Sequence, residues 1–195
     1  WDDGGLWRDL FTHNWGVNNG LIISTWDYLY GVIVQCNQSI DKLTELKELD
    51  PSNEYFDIYK AEVRGIRAMY YYYLLDMFAR VPIVESSLTQ MKDVKQSERS
   101  EVFNFVKKEL EESIPLLADE KSADQGEYYG RMTKAAAYFL MAKLALNAEV
   151  YTDNDWTDQS RLMERILNLQ WMAQKKIAGK LPSLIVIKSR SVDIL

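Results

Sequence analysis

The stretch that decides the fold class is residues 61–78, AEVRGIRAMYYYYLLDMF. Each residue of an α-helix turns the chain by about 100°, so the four consecutive tyrosines from Tyr70 to Tyr73 point in every direction around the axis. A helix that is apolar on all sides is buried between other helices. We therefore predict an inner helix, capped by Ser52 or Asn53 and running to about Ala79. The residues predicted to face the core are Tyr59, Val63, Ile66, Tyr70, Tyr73, Leu74 and Met77.

Helical spacing extends on both sides of this stretch. Before it, apolar residues recur every three or four positions from Trp26, with Ser24 as the cap, until Asp50-Pro51 ends the pattern. After it, we predict a helix over 100–117 and another over 134–151, the latter rich in alanine and capped by Thr133. The residues predicted to face inward from the helix over 100–117 are Val102, Phe103, Val106, Leu110, Ile114 and Leu117. A weaker helical pattern covers 158–178, and Leu184–Ile187 forms either a short strand or no structure that is stable alone. The predicted fold class is all-α, a TPR-like array of antiparallel helix pairs.

Composition excludes several classes of protein. The chain has 195 residues, 47% of them hydrophobic, which fits one globular domain or part of a larger one. A net charge of −6 argues against nucleic acid as a partner. The single cysteine, Cys36, rules out an internal disulfide framework and is predicted to be a small buried apolar residue. The first residue is Trp rather than Met, so we expect any signal peptide or lipid-attachment cysteine to lie upstream.

Tryptophan is concentrated at the start of the chain. Four of the six tryptophans, Trp1, Trp7, Trp15 and Trp26, lie in the first 26 residues, and the first three lie in a polar, Gly-rich segment. Trp stabilises little unless it is packed or used for contact. Residues 1–25 therefore form either a loop clamped onto the helices or an aromatic surface for a ligand.

Five motifs in a fixed order resemble the RagB/SusD family. They occur within residues 26–157, and the opening segment with Trp1, Gly4, Gly5, Trp7 and Arg8 resembles the part of the family ahead of its first long helix pair. The motifs are Trp26-x-x-Leu29-Tyr30-x-x-Ile33-x-x-Cys36-Asn37, Ala61-Glu62 with Arg67-Ala68-x-x-Tyr71-x-x-Leu74 and Val81-Pro82, Arg99-Ser100-x-Val102-Phe103, Gly130-Arg131-x-Thr133-Lys134, and Lys143-Leu144-x-Leu146-Asn147-Ala148.

The resemblance implies a SusD-like fold and a domain organisation. It predicts an aromatic, Gly-rich loop segment over 1–25 and a SusD-like helical region over 26–157. The family pattern fades in residues 158–195, whose structure the resemblance does not indicate. Members of the family are much longer than this chain, so an incomplete domain is expected.

The same resemblance implies a function and partners. It indicates a glycan-binding subunit on the cell surface, held in the outer membrane by a lipid anchor outside this sequence. Such a subunit captures oligosaccharide and passes it to a SusC-like TonB-dependent transporter. The alternative, from the helix pattern, is a TPR-type scaffold that binds a peptide.

Candidate glycan contacts are Trp1, Asp2, Trp7 and Arg8, because Trp rings can lie against the C–H faces of sugars while charged neighbours bind hydroxyl groups. Trp1 and Trp7 fit ligand contact and structural pinning equally, whereas Trp15 favours pinning.

We expect no catalytic residue, metal or cofactor. His13 has neither a side chain nearby in the sequence that could orient it as a general base nor a neighbouring nucleophile. Residues 153–164 match an EF-hand calcium loop only in part, since the glycine of that loop is missing. Glu62 and Arg67 are predicted to form a buried ion pair that tethers helices.

Overall fold

The computed structural model describes residues 4–119 and 130–152, and these residues form helices without an extended strand. The all-α prediction is confirmed. None of the helices in these ranges is long and apolar enough to cross a membrane. The helices are α1 (Leu6–Phe11), α2 (Gly20–Leu49), α3 (Tyr55–Phe78), α4 (Arg99–Ser113), α5 (Lys134–Leu146) and α6 (Ala148–Tyr151).

The N-terminus of α2 differs from the prediction. The helix begins at Gly20 rather than near Ser24, because the side chain of Asn19 accepts hydrogen bonds from the backbone N–H groups of Leu21 (3.0 Å) and Ile22 (3.4 Å). An asparagine at this position satisfies donors that the first helical turn leaves unpaired. The last six residues of the predicted loop segment 1–25 are therefore helical.

Helices α2 and α3 are antiparallel neighbours, as contacts along their whole length show. Lys47 near the end of α2 forms an ion pair with Asp57 in the first turn of α3, at 2.8 Å. At the other end of the pair, the Trp26 ring lies edge-on to Phe78 with centroids 5.1 Å apart. The predicted antiparallel pairing of helices is confirmed for α2 and α3.

The predicted core face of α4 is confirmed, whereas that of α3 is partly wrong. All six residues predicted to face inward from the third helix are buried, namely Val102, Phe103, Val106, Leu110, Ile114 and Leu117. On α3, Tyr59, Tyr73 and Met77 are exposed, and the buried residues are Ala61, Gly65, Arg67, Ala68, Tyr71, Tyr72, Leu74 and Leu75.

Helix α3 packs on three sides against described neighbours. Tyr71 contacts Phe105 of α4, with centroids 4.9 Å apart, and Lys143 of α5 lies 5.2 Å from the centre of the Tyr72 ring. The inner-helix prediction is right on these sides and on the side of α2. The apolar stripe with Tyr59, Tyr73 and Met77 lies on the fourth side, which no described helix covers.

Gly65 allows α3 to approach the turn before α5 closely. A Cβ atom at this position would lie 2.7 Å from the Cγ of Met132. Gly31 of α2 provides a matched contrast, since a Cβ there would meet nothing within 4 Å.

We expect the substitutions Gly65→Ala and Gly31→Ala to change stability in opposite directions. Overpacking typically costs about 1–3 kcal/mol, which outweighs the gain of about 1 kcal/mol from replacing a helical glycine. Gly65→Ala should therefore lower the free energy of unfolding by about 1 kcal/mol, and Gly31→Ala should raise it by about 0.5–1 kcal/mol. Urea denaturation monitored by circular dichroism measures both. A shift in the same direction for both variants would contradict the close approach.

A buried ionic network joins α3 to α4. The Arg67 guanidinium contacts one carboxylate oxygen of Glu109 at 2.6 Å, and Arg64 contacts the other, also at 2.6 Å. Arg64 also binds Glu112, and this hydrogen bond lowers the pKa of Glu112 below its ordinary value. The prediction that Arg67 tethers helices is confirmed, but its partner is Glu109 rather than Glu62.

Glu62 tethers a different part of the chain. Its carboxylate accepts two hydrogen bonds from the guanidinium of Arg131, at 2.6 and 3.1 Å, just before α5 begins. The predicted pair failed because Glu62 and Arg67 lie on different sides of α3, one toward α5 and one toward α2 and α4.

Side chains of α2 and α3 hold the connection from α3 to α4, in addition to one antiparallel β-bridge between Pro82 and Gln96. Arg67 donates to the carbonyl of Glu85 at 2.8 Å, and Asn37 donates to the carbonyl of Val84 at 2.8 Å. The backbone N–H of Val84 donates to the Tyr71 hydroxyl, also at 2.8 Å. Burial raises the pKa of that hydroxyl to about 12, so it stays protonated at neutral pH.

Cys36 is buried beside this network, as the sequence predicted. Burial raises the pKa of its thiol, which favours the protonated and unreactive form.

Candidate functional site

The described part of the N-terminal segment is a short helix with one turn on each side. The turn before the helix contains Gly4 and Gly5, and the turn after it contains His13. Gly4 and Gly5 have φ of 69° and 90°, a backbone region in which glycine is favoured because it lacks a Cβ. Helix α1 follows, and the chain turns again at His13, whose φ is 56°. The loop predicted for residues 1–25 therefore contains ordered helical structure.

The backbone of this segment is held by its own hydrogen bonds. The N–H of Asp9 donates to the carbonyl of Gly5 at 2.8 Å, and the N–H of Asn14 donates to the carbonyl of Asp9 at 2.9 Å. The Thr12 hydroxyl donates to the carbonyl of Arg8 at 2.8 Å. These hydrogen bonds fix the backbone of α1 and therefore the positions from which its side chains extend.

Trp7 and Arg8 are both exposed on α1. The Trp7 side chain has 55% of its surface accessible, and Phe11, one helical turn later, is more exposed still. Residues four apart lie on the same side of a helix. The segment therefore presents an aromatic surface with a cationic side chain beside it.

A second aromatic pair follows α1. The rings of His13 and Trp15 have centroids 5.3 Å apart and planes tilted by 53°. Trp15 is 46% exposed, so about half of its surface is accessible, and its role in pinning the segment stays a prediction. His13 is also exposed.

Trp26 differs from these tryptophans because it packs against the helical core. Its ring lies 4.8 Å from Tyr30 on α2 and edge-on to Phe78 on α3. Three aromatic rings in such contact stabilise the helix pair. We therefore separate Trp26, with a structural role, from Trp7 and Trp15, whose rings are accessible.

Two of the four candidate glycan contacts, Trp7 and Arg8, are adjacent on α1. The other two, Trp1 and Asp2, lie outside the described residues, as do the partial calcium loop and the helix predicted over 158–178. Within 4–119 and 130–152, no cluster of three His, Cys, Asp or Glu side chains could hold a metal ion.

One exposed aromatic pair and one buried carboxylate were not predicted from the sequence. Tyr55 and Tyr59 stack on the outside of the first turns of α3, and a tyrosine repeated after four residues at a helix start was the available signal. Glu109 is buried between two arginines. It could not be distinguished from Glu111 and Glu112, which follow it in the chain, without knowledge of what faces it.

Residues 3–146 match the model of the SusD-like family described as starch-binding and associating with the outer membrane. The matched region includes all helices from α1 to α5. The chain belongs to this SusD-like family.

One sequence relative of this SusD-like chain is the starch-binding protein SusD of Bacteroides thetaiotaomicron. The two are 33% identical over 105 residues, which is 54% of this chain and 18% of SusD. The chain therefore corresponds to a small part of that relative.

Solved SusD-like structures show the same helical arrangement. A laminarin-binding SusD-like protein has 27% identity and a TM-score of 0.59, with 74% of this chain and 28% of that one covered. Surface glycan-binding protein A from Bacteroides uniformis has 24% identity and a TM-score of 0.71, with coverage of 93% and 36%. These matches confirm the predicted SusD-like fold.

Proposed function

We propose that this chain is part of a surface protein that captures glycans for uptake. The family match over residues 3–146 carries this proposal. The exposed side chains of Trp7 and Trp15 support it, since accessible indole rings suit the apolar faces of sugars. In this proposal Trp1, Asp2, Trp7 and Arg8 contact oligosaccharide.

The molecule has a packed helical core and an N-terminal segment with exposed aromatic side chains, and this division suits glycan capture. Helices α2 to α5 form a core around a buried ionic network, and a rigid scaffold of this kind positions binding loops with little entropic cost. The N-terminal segment, in contrast, displays its aromatic side chains outward. Stability and recognition are thus assigned to different residues.

We further propose the partners that the family resemblance implies. The protein would act at the outer membrane surface through a lipid anchor outside this sequence, and it would pass oligosaccharide to a SusC-like TonB-dependent transporter. The family description, which includes association with the outer membrane, supports the location. Stable anchoring of this kind needs more than one acyl chain.

We propose binding without catalysis. Hydrolysis of a glycosidic bond needs two carboxyl groups placed across a cleft. The buried carboxylate of Glu109 and the largely enclosed carboxylate of Glu62 form ion pairs with arginines and serve the packing of helices. The proposed function therefore assigns no acid or base to this part of the chain.

Substitution of Trp7 and of Trp26 should separate recognition from stability. In the whole protein, Trp7→Ala should weaken polysaccharide binding by about 1–3 kcal/mol, or roughly five- to 150-fold, with an almost unchanged melting temperature. Trp26→Ala should lower the free energy of unfolding by about 3 kcal/mol, because it removes a packed ring, while binding by the folded fraction persists. Affinity electrophoresis in starch, laminarin and xyloglucan gels, alongside thermal melts, measures both quantities.

Two outcomes would contradict the proposal in different ways. A wild-type protein that migrates freely through every polysaccharide gel would favour the alternative, a scaffold that binds peptide. If Trp7→Ala lowers the melting temperature and leaves affinity unchanged, Trp7 pins structure and the sugar contacts lie elsewhere.

A further inference from the structure

Two tyrosines at the start of α3 form an exposed aromatic surface. The rings of Tyr55 and Tyr59 have centroids 6.3 Å apart and planes only 29° from parallel. Their side chains are 65% and 43% exposed. Spaced four residues apart, they lie on the same side of the helix and present neighbouring faces to the surroundings.

Three contacts fix the turn of helix that carries these partly exposed rings. The side-chain oxygen of Asn53 accepts a hydrogen bond from the backbone N–H of Tyr55 at 3.1 Å. The ion pair of Lys47 with Asp57 fixes this turn to the end of α2. The guanidinium carbon of Arg131 lies 5.8 Å from the centre of the Tyr59 ring, within the range of a cation–π contact.

Charged hydrogen-bonding groups border the aromatic surface. The guanidinium of Arg131 that contacts Tyr59 also makes the two hydrogen bonds to Glu62, one helical turn from Tyr59. Each carboxylate oxygen of Glu62 can accept more than one hydrogen bond. Flat aromatic faces beside a planar array of donors and acceptors match a sugar ring, whose C–H groups are apolar and whose hydroxyls lie at its edge.

A second tyrosine cluster on the same side of the bundle lacks this arrangement. Tyr70 and Tyr73 meet edge to face at 90°, and the hydroxyls of Tyr28 and Tyr70 lie 3.2 Å from each other. These rings therefore contact one another and do not form neighbouring platforms. Tyr28, which is also exposed, provides a control position.

The Tyr55–Tyr59 surface and the N-terminal segment adjoin opposite ends of α2. The segment leads into α2 at Gly20, whereas Tyr55 follows the end of α2 at Leu49 by a short turn. A helix of 30 residues is about 45 Å long. A short oligosaccharide bound at one end cannot reach the other, but a polymer can contact both.

We propose that Tyr55 and Tyr59, bordered by Glu62 and Arg131, form a second glycan-binding surface that acts on long polysaccharide. This inference rests on the proposed function. Two linked sites raise the apparent affinity for a polymer far above that of either site alone, because the second contact is intramolecular. The surface would therefore assist capture of polymer and contribute little to binding of short chains.

The test compares variants of the whole protein by affinity electrophoresis in gels containing soluble starch, laminarin or xyloglucan. The double variant Tyr55→Ala/Tyr59→Ala should lose about tenfold or more of the polymer affinity of the wild type, with an unchanged melting temperature. Tyr28→Ala should bind like the wild type. Tyr55→Trp/Tyr59→Trp, which keeps aromatic faces, should restore polymer binding.

The outcomes distinguish this inference from the proposed function. If the double variant binds polymer like the wild type while Trp7→Ala weakens binding, the second surface is refuted and the proposed function stands. A lower melting temperature with unchanged affinity would show that the tyrosines contact protein in the whole molecule, which also overturns the inference. If the wild type binds no polysaccharide, the proposed function fails and this inference with it.

Discussion

Replacement of Arg67 by alanine is expected to destabilise the protein by about 3–5 kcal/mol, because removal of one member of a buried ion pair leaves the other charge without compensation. Arg67 and Glu109 are both buried, and their closest nitrogen and oxygen atoms are 2.6 Å apart. The guanidinium also donates to Asn37 on α2 and to the carbonyl of Glu85. The variant therefore loses contacts between α3, α2, α4 and the connection between α3 and α4 at once.

Urea denaturation of Arg67→Ala beside Lys42→Ala measures this effect. Lys42 pairs with Glu45 at the same distance, 2.6 Å, but both side chains are largely exposed. Its removal should cost less than about 1 kcal/mol, since exposed pairs contribute little. Equal costs for the two variants would show that the Arg67 network is not protected from water.

Replacement of Tyr71 by alanine is expected to cost about 3–5 kcal/mol, as for other large aromatic side chains in a core. Tyr71 is fully buried, contacts Phe105 of α4 and Tyr30 of α2, and accepts a hydrogen bond from the N–H of Val84. Its removal creates a cavity and also leaves a backbone donor without its partner.

Tyr73→Ala is the matched control for this prediction. The sequence pattern placed Tyr73 in the core, but its side chain is 38% exposed and touches Tyr70 and Tyr72. Its substitution should therefore cost about 1 kcal/mol. Thermal and urea denaturation measure the loss of stability in both variants. An equal loss for Tyr73→Ala and Tyr71→Ala would contradict the assigned orientation of α3.

Much of the local structure follows from the sequence, because helix formation and capping depend on near neighbours. The cap at Thr133 is present, with its side chain accepting a hydrogen bond from the N–H of Ala136. Every residue predicted to face inward from α4 and the turn after it is buried, because this helix has one apolar stripe, although Phe105 and Glu109 are buried as well. At the start of α2 the prediction was wrong because Asn19 and Ser24 are both capable caps, and only the structure shows that Asn19 is used.

The candidate site could be predicted only in part. A cluster of tryptophans in a polar segment identified Trp7 and Arg8 as accessible residues, and the structure places both on the outside of α1. The four-residue spacing of Tyr55 and Tyr59 was a local signal for their contact, but nothing local in the chain indicates that Arg131 lies beside Tyr59. Residues 59 and 131 are far apart in the chain, and their contact arises from the packing of α3 against the turn before α5.

By itself, the sequence determined the all-α class, the helix of the tyrosine run and the family, because repeated apolar spacing and ordered motifs are properties of the chain alone. Only the tertiary structure decided which side of α3 is buried, since all four tyrosines are apolar enough for a core. Their orientation depends on where α2, α4 and α5 pack. The tertiary structure likewise selected Glu109 as the partner of Arg67, because an arginine pairs with whichever carboxylate the fold brings within reach. Burial then makes that ion pair costly to break.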